Sequence, residues 1–173
     1  GRAAAPAGPR FPYDAGVGVR APAWGWTGLA IGGAAVVVAR TLVVGADYLW
    51  APALGERILT AGAVPAGLPF AAAPTAQWPN VGVLGQVLLA LVSRLGTIGP
   101  GVVQLVADVV AWGLIAAACR ARGATDGPTA AVLAGVVVGA ASAWGVTRLQ
   151  VLSLVPFALL LLLLQTEHAR PSR

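Results

Sequence analysis

A single carboxylate, Asp47, directly follows a long apolar stretch of this chain, at the point where polar residues return. An ionised carboxylate in such a place can take a proton from a hydroxyl group as that hydroxyl attacks a carbon atom. A second polar pair, Arg148 and Gln150, precedes the last apolar stretch. An arginine there can hold a phosphate group, or it can simply anchor a turn, and both interpretations of Arg148 stay open.

Two further charged residues lie inside apolar stretches. Asp108 stands in the middle of one, where a carboxylate is costly unless it faces protein or water. We therefore expect it to pair with Arg40 or Gln104, or to be protonated. Arg40 could face a lipid phosphate, but extension of its side chain toward the interface is the simpler interpretation. His168 has no second histidine and no cysteine cluster beside it, so a structural metal site has no support.

The composition is that of a membrane protein. Hydrophobic residues make up 58% of the 173 residues and charged residues only 10%, which indicates a chain that crosses a bilayer several times. The net charge of +5 comes entirely from arginines that are spread singly along the chain, so we expect them to report orientation and expect no nucleic-acid partner. The use of arginine without lysine also suggests a bacterial source.

Segment lengths predict an all-α, polytopic membrane fold. A hydrocarbon core of about 30 Å requires about 20 apolar residues in a helix, and four segments approach that length. We predict about four transmembrane helices, at residues 24–46, 102–119, 128–146 and 149–164. Residues 24–168 would form one transmembrane module between a flexible cytoplasmic tail, residues 1–23, and a second tail, residues 169–173.

The region after the first predicted span forms an outer loop with interfacial helices. Residues 47–80 contain five prolines and several polar residues, which predicts an extramembrane loop with a short helix at 53–61. Residues 81–96 are apolar but short and contain Gln86 and Arg94, so we predict an interfacial helix that does not cross the bilayer.

The distribution of arginines predicts the orientation. If residues 81–96 do not cross, seven arginines lie on the side of the N-terminus and three on the other side. Arginine collects on the cytoplasmic side of membrane proteins, so we expect a multi-pass protein of the bacterial cytoplasmic (inner) membrane with its N-terminus inside. The two groups are Arg2, Arg10, Arg20, Arg120, Arg122, Arg170 and Arg173 inside, and Arg57, Arg94 and Arg148 outside.

Several short motifs along the chain resemble one family. The first outer loop resembles that of bacterial polytopic glycosyltransferases of the GT-C superfamily, and the segment TRLQVLSLVPFALLLLLL (147–164) looks like the Arg-x-Gln stretch that begins their fourth span. The resemblance covers about residues 24–170. In the loop it rests on Asp47, Trp50, Gly55, ILTAGAVP (58–65), Pro69, Phe70, Trp78, Asn80, Leu84 and VLLALVSRLG (87–96).

The resemblance implies a function and a set of site residues. It implies transfer of a sugar from a polyprenyl-phosphate donor to an acceptor, which the sequence does not identify, on the outer face of the membrane. Asp47 matches the acidic residue that serves as catalytic base or helps to hold a divalent metal such as Mg or Mn. The substrate-binding residues implied are Trp78, Asn80, Arg148 and Gln150. The competing interpretation of Asp47 is an interfacial aspartate that ends the first helix.

The chain also departs from the family pattern. The family has a His after the loop Trp, an Asp before the Pro-Phe pair and a Glu-Trp pair after the Asn, and it continues through further spans. We therefore expect either the N-terminal part of a longer enzyme or a non-catalytic scaffold or partner subunit derived from the same fold. A small transporter is a third hypothesis, in which Asp108 and Arg40 would line the path. The departing positions are Ala51, Leu68, Gly82 and Val83.

Overall fold

The computed structural model describes residues 24 to 169, and for Asp47 and Ala169 it describes the backbone alone. The predicted tail at residues 1–23 and residues 170–173 lie outside this part. Within it the chain forms seven helices and two short strands. In chain order these are α1 (Gly25–Thr41), β1 (Val43–Val44), α2 (Asp47–Ala61), α3 (Val83–Ser93), α4 (Gly99–Ala121), α5 (Asp126–Gly139), α6 (Ala141–Trp144), β2 (Val146–Thr147) and α7 (Val151–Ala169).

A small apolar core joins three of the helices. Its members come in pairs four residues apart, which places each pair on one face of its helix. The faces of α1, α4 and α5 meet there, so these helices form a three-helix bundle. The buried core residues are Ala34 and Val38 of α1, Trp112 and Ala116 of α4, and Leu133 and Val137 of α5.

The two strands fix the direction of these helices. Val43 pairs with Val146 and Val44 with Thr147 in a parallel ladder, and β-branched residues such as these favour extended backbone. Since β1 follows α1 and β2 follows α5 and α6, α1 and α5 run in the same direction. We call the end of the bundle that carries the strands the ladder end.

At the opposite end, Asp126 of α5 caps the first turn of α1. Its carboxylate accepts hydrogen bonds from the backbone N–H of Trp26 (2.8 Å) and Thr27 (3.1 Å) and from the Thr27 hydroxyl (2.6 Å). Arg120, in the last turn of α4, lies 3.6 Å from the same carboxylate. The Thr27 hydrogen bond is the main cause that holds the pKa of Asp126 below its usual value of 3.8, so the cap is ionised at neutral pH.

Helix α4 runs against α1 and α5, and α7 runs beside α4. The first turn of α4 lies at the ladder end, where Gly101 approaches Leu42, and its last turn lies beside Asp126. Helix α7 begins at the ladder end after β2 and packs extensively on α4. Consecutive long helices therefore alternate in direction.

Helices α2 and α3 pack on each other at the ladder end. Gly55 of α2 lies directly against the backbone of Gln86 and Val87 in α3, and Glu56 forms an exposed ion pair with Arg94 at 2.9 Å. The Tyr48 hydroxyl lies 3.0 Å from the Ser93 hydroxyl. One end of α3 thus touches the start of α2.

The predicted helical fold is confirmed, and the number of membrane crossings stays a prediction. The described residues are mostly helical, and two of their helices, α4 and the Val151–His168 part of α7, are long and apolar enough to cross a membrane. The short parallel ladder is an addition to the predicted all-α fold. Helix α1 ends at Thr41, so Asp47 does not end the first helix, as one interpretation held; it begins α2.

Candidate functional site

The ladder brings together the two segments that carry the predicted catalytic and phosphate-binding residues. The backbone N–H of Gly45 donates to the carbonyl of Thr147 at 3.2 Å. Asp47 follows Gly45 by two residues, and Arg148 follows Thr147 directly. A Cβ atom at Gly45 would overlap the Thr147 carbonyl oxygen, so the close approach of the two segments requires glycine at this position.

Three of the predicted substrate-binding residues line one cavity. This space, the loop cavity, has a volume of about 260 Å³ and lies between the loop after α2, the start of α3 and the start of α7. Trp78 and Asn80 enter from the loop and Gln150 from the turn before α7, so residues 70 positions apart in the chain meet here. Other lining residues include Trp50, Leu68, Gln86 and Leu149.

The amide of Asn80 is largely engaged within the fold. Its nitrogen donates to Gln86 at 2.7 Å, and its oxygen accepts from the Gln86 amide at 2.8 Å and from the backbone N–H of Gly82 at 3.3 Å. One N–H of the Asn80 amide is left over for a ligand, since an amide has two donors. Asn80 therefore shapes the start of α3 as well as the cavity wall.

A docked leucine positions Gln150. Leu149 packs on two glycines of the α3 region: a Cβ atom at Gly85 would lie 2.9 Å from its Cγ and one at Gly82 would lie 3.0 Å from its Cδ2. Side chains larger than hydrogen at these two positions would push Leu149 away. Gly82 stands where the family that the chain resembles has Glu. Because glycine is small, Leu149 can pack against it, and this contact fixes the turn that carries Gln150.

A second cavity, the bundle cavity, lies between α4, α6 and α7. Its volume is about 390 Å³, and both Arg148 and Gln150 line it. Gln150 therefore borders both cavities, whereas Arg148 belongs to the second. Arg148 is exposed, which leaves its guanidinium accessible to an anion. Gln104, Trp144 and Ser153 complete the polar lining.

A metal ion at Asp47 stays a prediction. Only the backbone of Asp47 is described, and within residues 24–169 the described side chains contain no group of three or more His, Cys, Asp or Glu that could hold a metal ion. A divalent ion at Asp47 would need most of its ligands from substrate phosphate and water, as Mg²⁺ sites commonly do.

The buried residue Asp108 pairs with Gln104. The amide nitrogen of Gln104 lies 3.1 Å from the Asp108 carboxylate, whereas Arg40 is exposed on α1. Of the two partners that the sequence suggested, Arg40 and Gln104, the structure shows Gln104. The sequence did not predict that Gln86 would bond Asn80 or that the Trp144 carbonyl would accept from Gln104. The four-residue spacing of Gln104, Asp108 and Trp112 did indicate a polar face on α4.

Comparison of the chain with protein-family models, curated proteins and solved structures gives no significant match. Its function must therefore be inferred from the geometry of the two cavities and from the exposed apolar side chains of the helices.

Proposed function

We propose that this chain is the N-terminal part of a GT-C-like membrane glycosyltransferase that transfers a sugar from a polyprenyl-phosphate donor to an acceptor at the outer face. Asp47 acts as the general base, or it helps to hold a divalent metal ion such as Mg or Mn. Arg148 contacts the donor phosphate, and Trp78, Asn80 and Gln150 contact the sugar.

One observation carries this proposal. Trp78 and Asn80, predicted from the loop motif, and Gln150, predicted from the Arg-x-Gln motif, line a single cavity at the ladder end. The ladder also brings the Asp47 and Arg148 segments side by side at that end. An aromatic side chain with nearby amides is suited to a sugar, because the ring covers apolar C–H groups and the amides bond hydroxyls.

The surface of the bundle supports a membrane location. Only 11% of the apolar stretch Val151–His168 of α7 is buried. The side chains of Phe157, Leu160 and Leu164 are more than half exposed. A core helix of a soluble protein would bury these side chains, so lipid is the environment that suits them.

We infer four crossings from the alternating helix directions. They are α1 with residues 42–46, α4, residues 128–146 and α7. Helix α3 does not cross: its start contacts Leu149 and its end contacts Tyr48, and both partners belong to the ladder end.

External cysteine labelling tests the orientation. In a Cys119→Ala background, we expect a membrane-impermeant maleimide to label Ala66→Cys, in the loop after α2, in intact cells. Thr125→Cys, between α4 and α5, should be labelled only after permeabilisation. Labelling of Thr125→Cys and not of Ala66→Cys in intact cells would reverse the orientation.

A specific observation also favours a second candidate function, a non-catalytic scaffold or partner subunit. Ala51 of α2 stands where the family that the chain resembles has His, and it is fully buried. A histidine would not fit there without repacking. The loop cavity would then bind a sugar without transferring it.

Trp78 provides the test that separates the site from the rest of the bundle. In the complete protein, we expect Trp78→Ala to raise the KM for the polyprenyl-phosphate sugar about fivefold, because an aromatic contact contributes about 1 kcal/mol. Trp26→Ala is the matched control, since Trp26 is equally exposed, at 67% against 65%, but lies at the opposite end.

Equal KM values for the two variants would argue against the loop cavity as the sugar site. Sugar binding without transfer by the wild type would instead favour the scaffold.

A further inference from the structure

A tight turn holds an aromatic side chain close to the loop cavity. Leu68 to Ala71 form a β-turn, in which the Ala71 backbone N–H donates to the Leu68 carbonyl at 3.0 Å. Pro69 occupies the second position, where the fixed φ of proline favours such a turn. Phe70 occupies the third position, and its side chain is 56% exposed. The turn therefore presents an aromatic ring that the described fold does not bury.

Thr75 closes the chain around this turn. Its hydroxyl accepts from the backbone N–H of Leu68 at 2.7 Å and donates to the Leu68 carbonyl at 3.1 Å. Its own carbonyl accepts from the backbone N–H of Trp78 at 2.8 Å. Gly67 has a φ of 68°, and a Cβ atom there would overlap the Thr75 carbonyl oxygen, so this position requires glycine. Thr75 thus fixes both the Phe70 turn and the backbone of Trp78.

Phe70 lines a second space that adjoins the loop cavity. This space, the aromatic cleft, has a volume of about 200 Å³ and is lined by Trp50, Leu68, Phe70 and Ala71. Trp50 and Leu68 also line the loop cavity, so the two spaces share a wall. Two of the four lining residues are aromatic and none is charged. The cleft is therefore suited to a neutral ligand with an apolar face.

We propose that the aromatic cleft binds the acceptor of the transfer reaction and that this acceptor is a sugar. The inference rests on the proposed function, since it places the acceptor beside the donor sugar in the loop cavity. Aromatic rings cover the apolar C–H groups of a sugar ring, and the indole N–H of Trp50 is a donor for a sugar hydroxyl. A charged acceptor would require a charged partner when it is desolvated, and no residue that lines the cleft supplies one.

The place of the cleft on α2 fits the chemistry of transfer. Trp50 follows Asp47 by three residues, so these two positions lie on one side of α2. In the transfer, the acceptor oxygen bonds to the anomeric carbon of the donor sugar and its proton passes to Asp47. The polyprenyl phosphate leaves with the electron pair of the broken C–O bond. The acceptor must therefore lie beside both the base and the donor sugar, and the cleft adjoins both the Asp47 side of α2 and the loop cavity.

The binding test needs neither a donor nor catalysis, so it is independent of the proposed function. With the purified chain in nanodiscs, saturation-transfer NMR would measure the Kd for methyl glycosides of hexoses and pentoses. All proteins compared carry Trp78→Ala, which weakens the loop cavity as a competing site. We expect Phe70→Ala to weaken binding about fivefold further, the effect of one lost aromatic contact. Phe157→Ala is the matched control, because Phe157 is equally exposed, at 57% against 56%, but lies on α7.

Conservative variants separate a sugar from other apolar ligands. Phe70→Tyr keeps the flat ring and should keep the binding, whereas Phe70→Leu keeps only the apolar character and should weaken binding as Phe70→Ala does. Thermal unfolding would verify that each variant is folded. Equal binding by the Phe70→Ala and Phe157→Ala proteins would overturn the proposal, as would no binding of any methyl glycoside. Binding of a blocked serine- or threonine-containing peptide in place of the glycosides would also overturn it, in favour of a protein acceptor.

Transfer assays connect the cleft to the reaction. In the complete protein with a methyl glycoside as acceptor, Phe70→Ala should raise the KM for the glycoside about fivefold and leave the KM for the polyprenyl-phosphate sugar unchanged. Transfer with an unchanged glycoside KM would overturn the acceptor assignment and leave the proposed function standing. Glycoside binding through Phe70 without any transfer by the wild type would instead overturn the proposed function and leave the cleft as a sugar-binding site.

Discussion

Replacement of Asp47 by Asn should lower the rate of sugar transfer by on the order of 100-fold or more, since loss of general-base assistance typically has that effect. Asn keeps the size and shape of the side chain. Asp47 is the first residue of α2, where a carboxylate contributes a little through the helix dipole. The free energy of unfolding should therefore change by no more than about 1 kcal/mol.

The measurement compares sugar transfer and thermal unfolding for the complete wild-type protein and the variant. Glu56→Gln is the matched control, because Glu56 is an exposed carboxylate on the same helix whose only described partner is Arg94, and it should retain full activity. Transfer by Asp47→Asn at the wild-type rate would reject the catalytic assignment. Loss of transfer together with loss of folded protein would assign Asp47 a structural role.

Replacement of Gly55 by Ala should destabilise the fold by about 1–3 kcal/mol, the usual effect of forcing an extra methyl group into a packed contact. The added Cβ would overlap the carbonyl oxygen of Gln86 and lie 2.9 Å from the backbone nitrogen of Val87. Backbone atoms cannot rotate away as a side chain can. Helices α2 and α3 would have to separate, and the Asn80–Gln86 pair beside the loop cavity would shift with them.

Gly135→Ala is the control for this prediction. Gly135 lies in α5, and no atom from a neighbouring element comes within 4 Å of the position that a Cβ atom would take there. Alanine at this position should therefore be neutral or stabilise the helix by up to about 1 kcal/mol. Thermal unfolding in detergent would compare both variants with the wild type. If Gly55→Ala unfolds at the wild-type temperature, α2 and α3 do not cross at Gly55.

The long helices could be predicted from local sequence because their signal is local. The apolar stretches that form α4 and α7 are long enough to cross a bilayer. Pro156 lies inside α7, but the apolar stretch around it is long enough to predict a helix there. The break between α1 and α2 was harder to predict. Apolar residues resume at Leu42 and continue through Val43 and Val44 to Ala46, and the pairing partners of the two valines lie 103 residues further along the chain.

The candidate site was predictable in its residues and not in its arrangement. The motifs indicated Trp78, Asn80 and Gln150 one by one, but the cavity that joins them depends on Leu149 packing against Gly82 and Gly85. The Asp126 cap was missed for the same reason, since its partners, Trp26 and Thr27, are about 100 residues away. Contacts of this length leave no periodic pattern in the sequence.

The parallel ladder also sets an order of events during synthesis. Val43 and Val44 leave the ribosome about 100 residues before Val146 and Thr147, and at 5–20 residues per second this is a delay of roughly 5–20 s. Until Asp126 has been made, about 80 residues after Val44, α1 has neither its ladder partner nor the carboxylate at its first turn. During that time α1 is held only by its own hydrogen bonds, and the segments that carry Asp47 and Arg148 can come together only after β2 has been made.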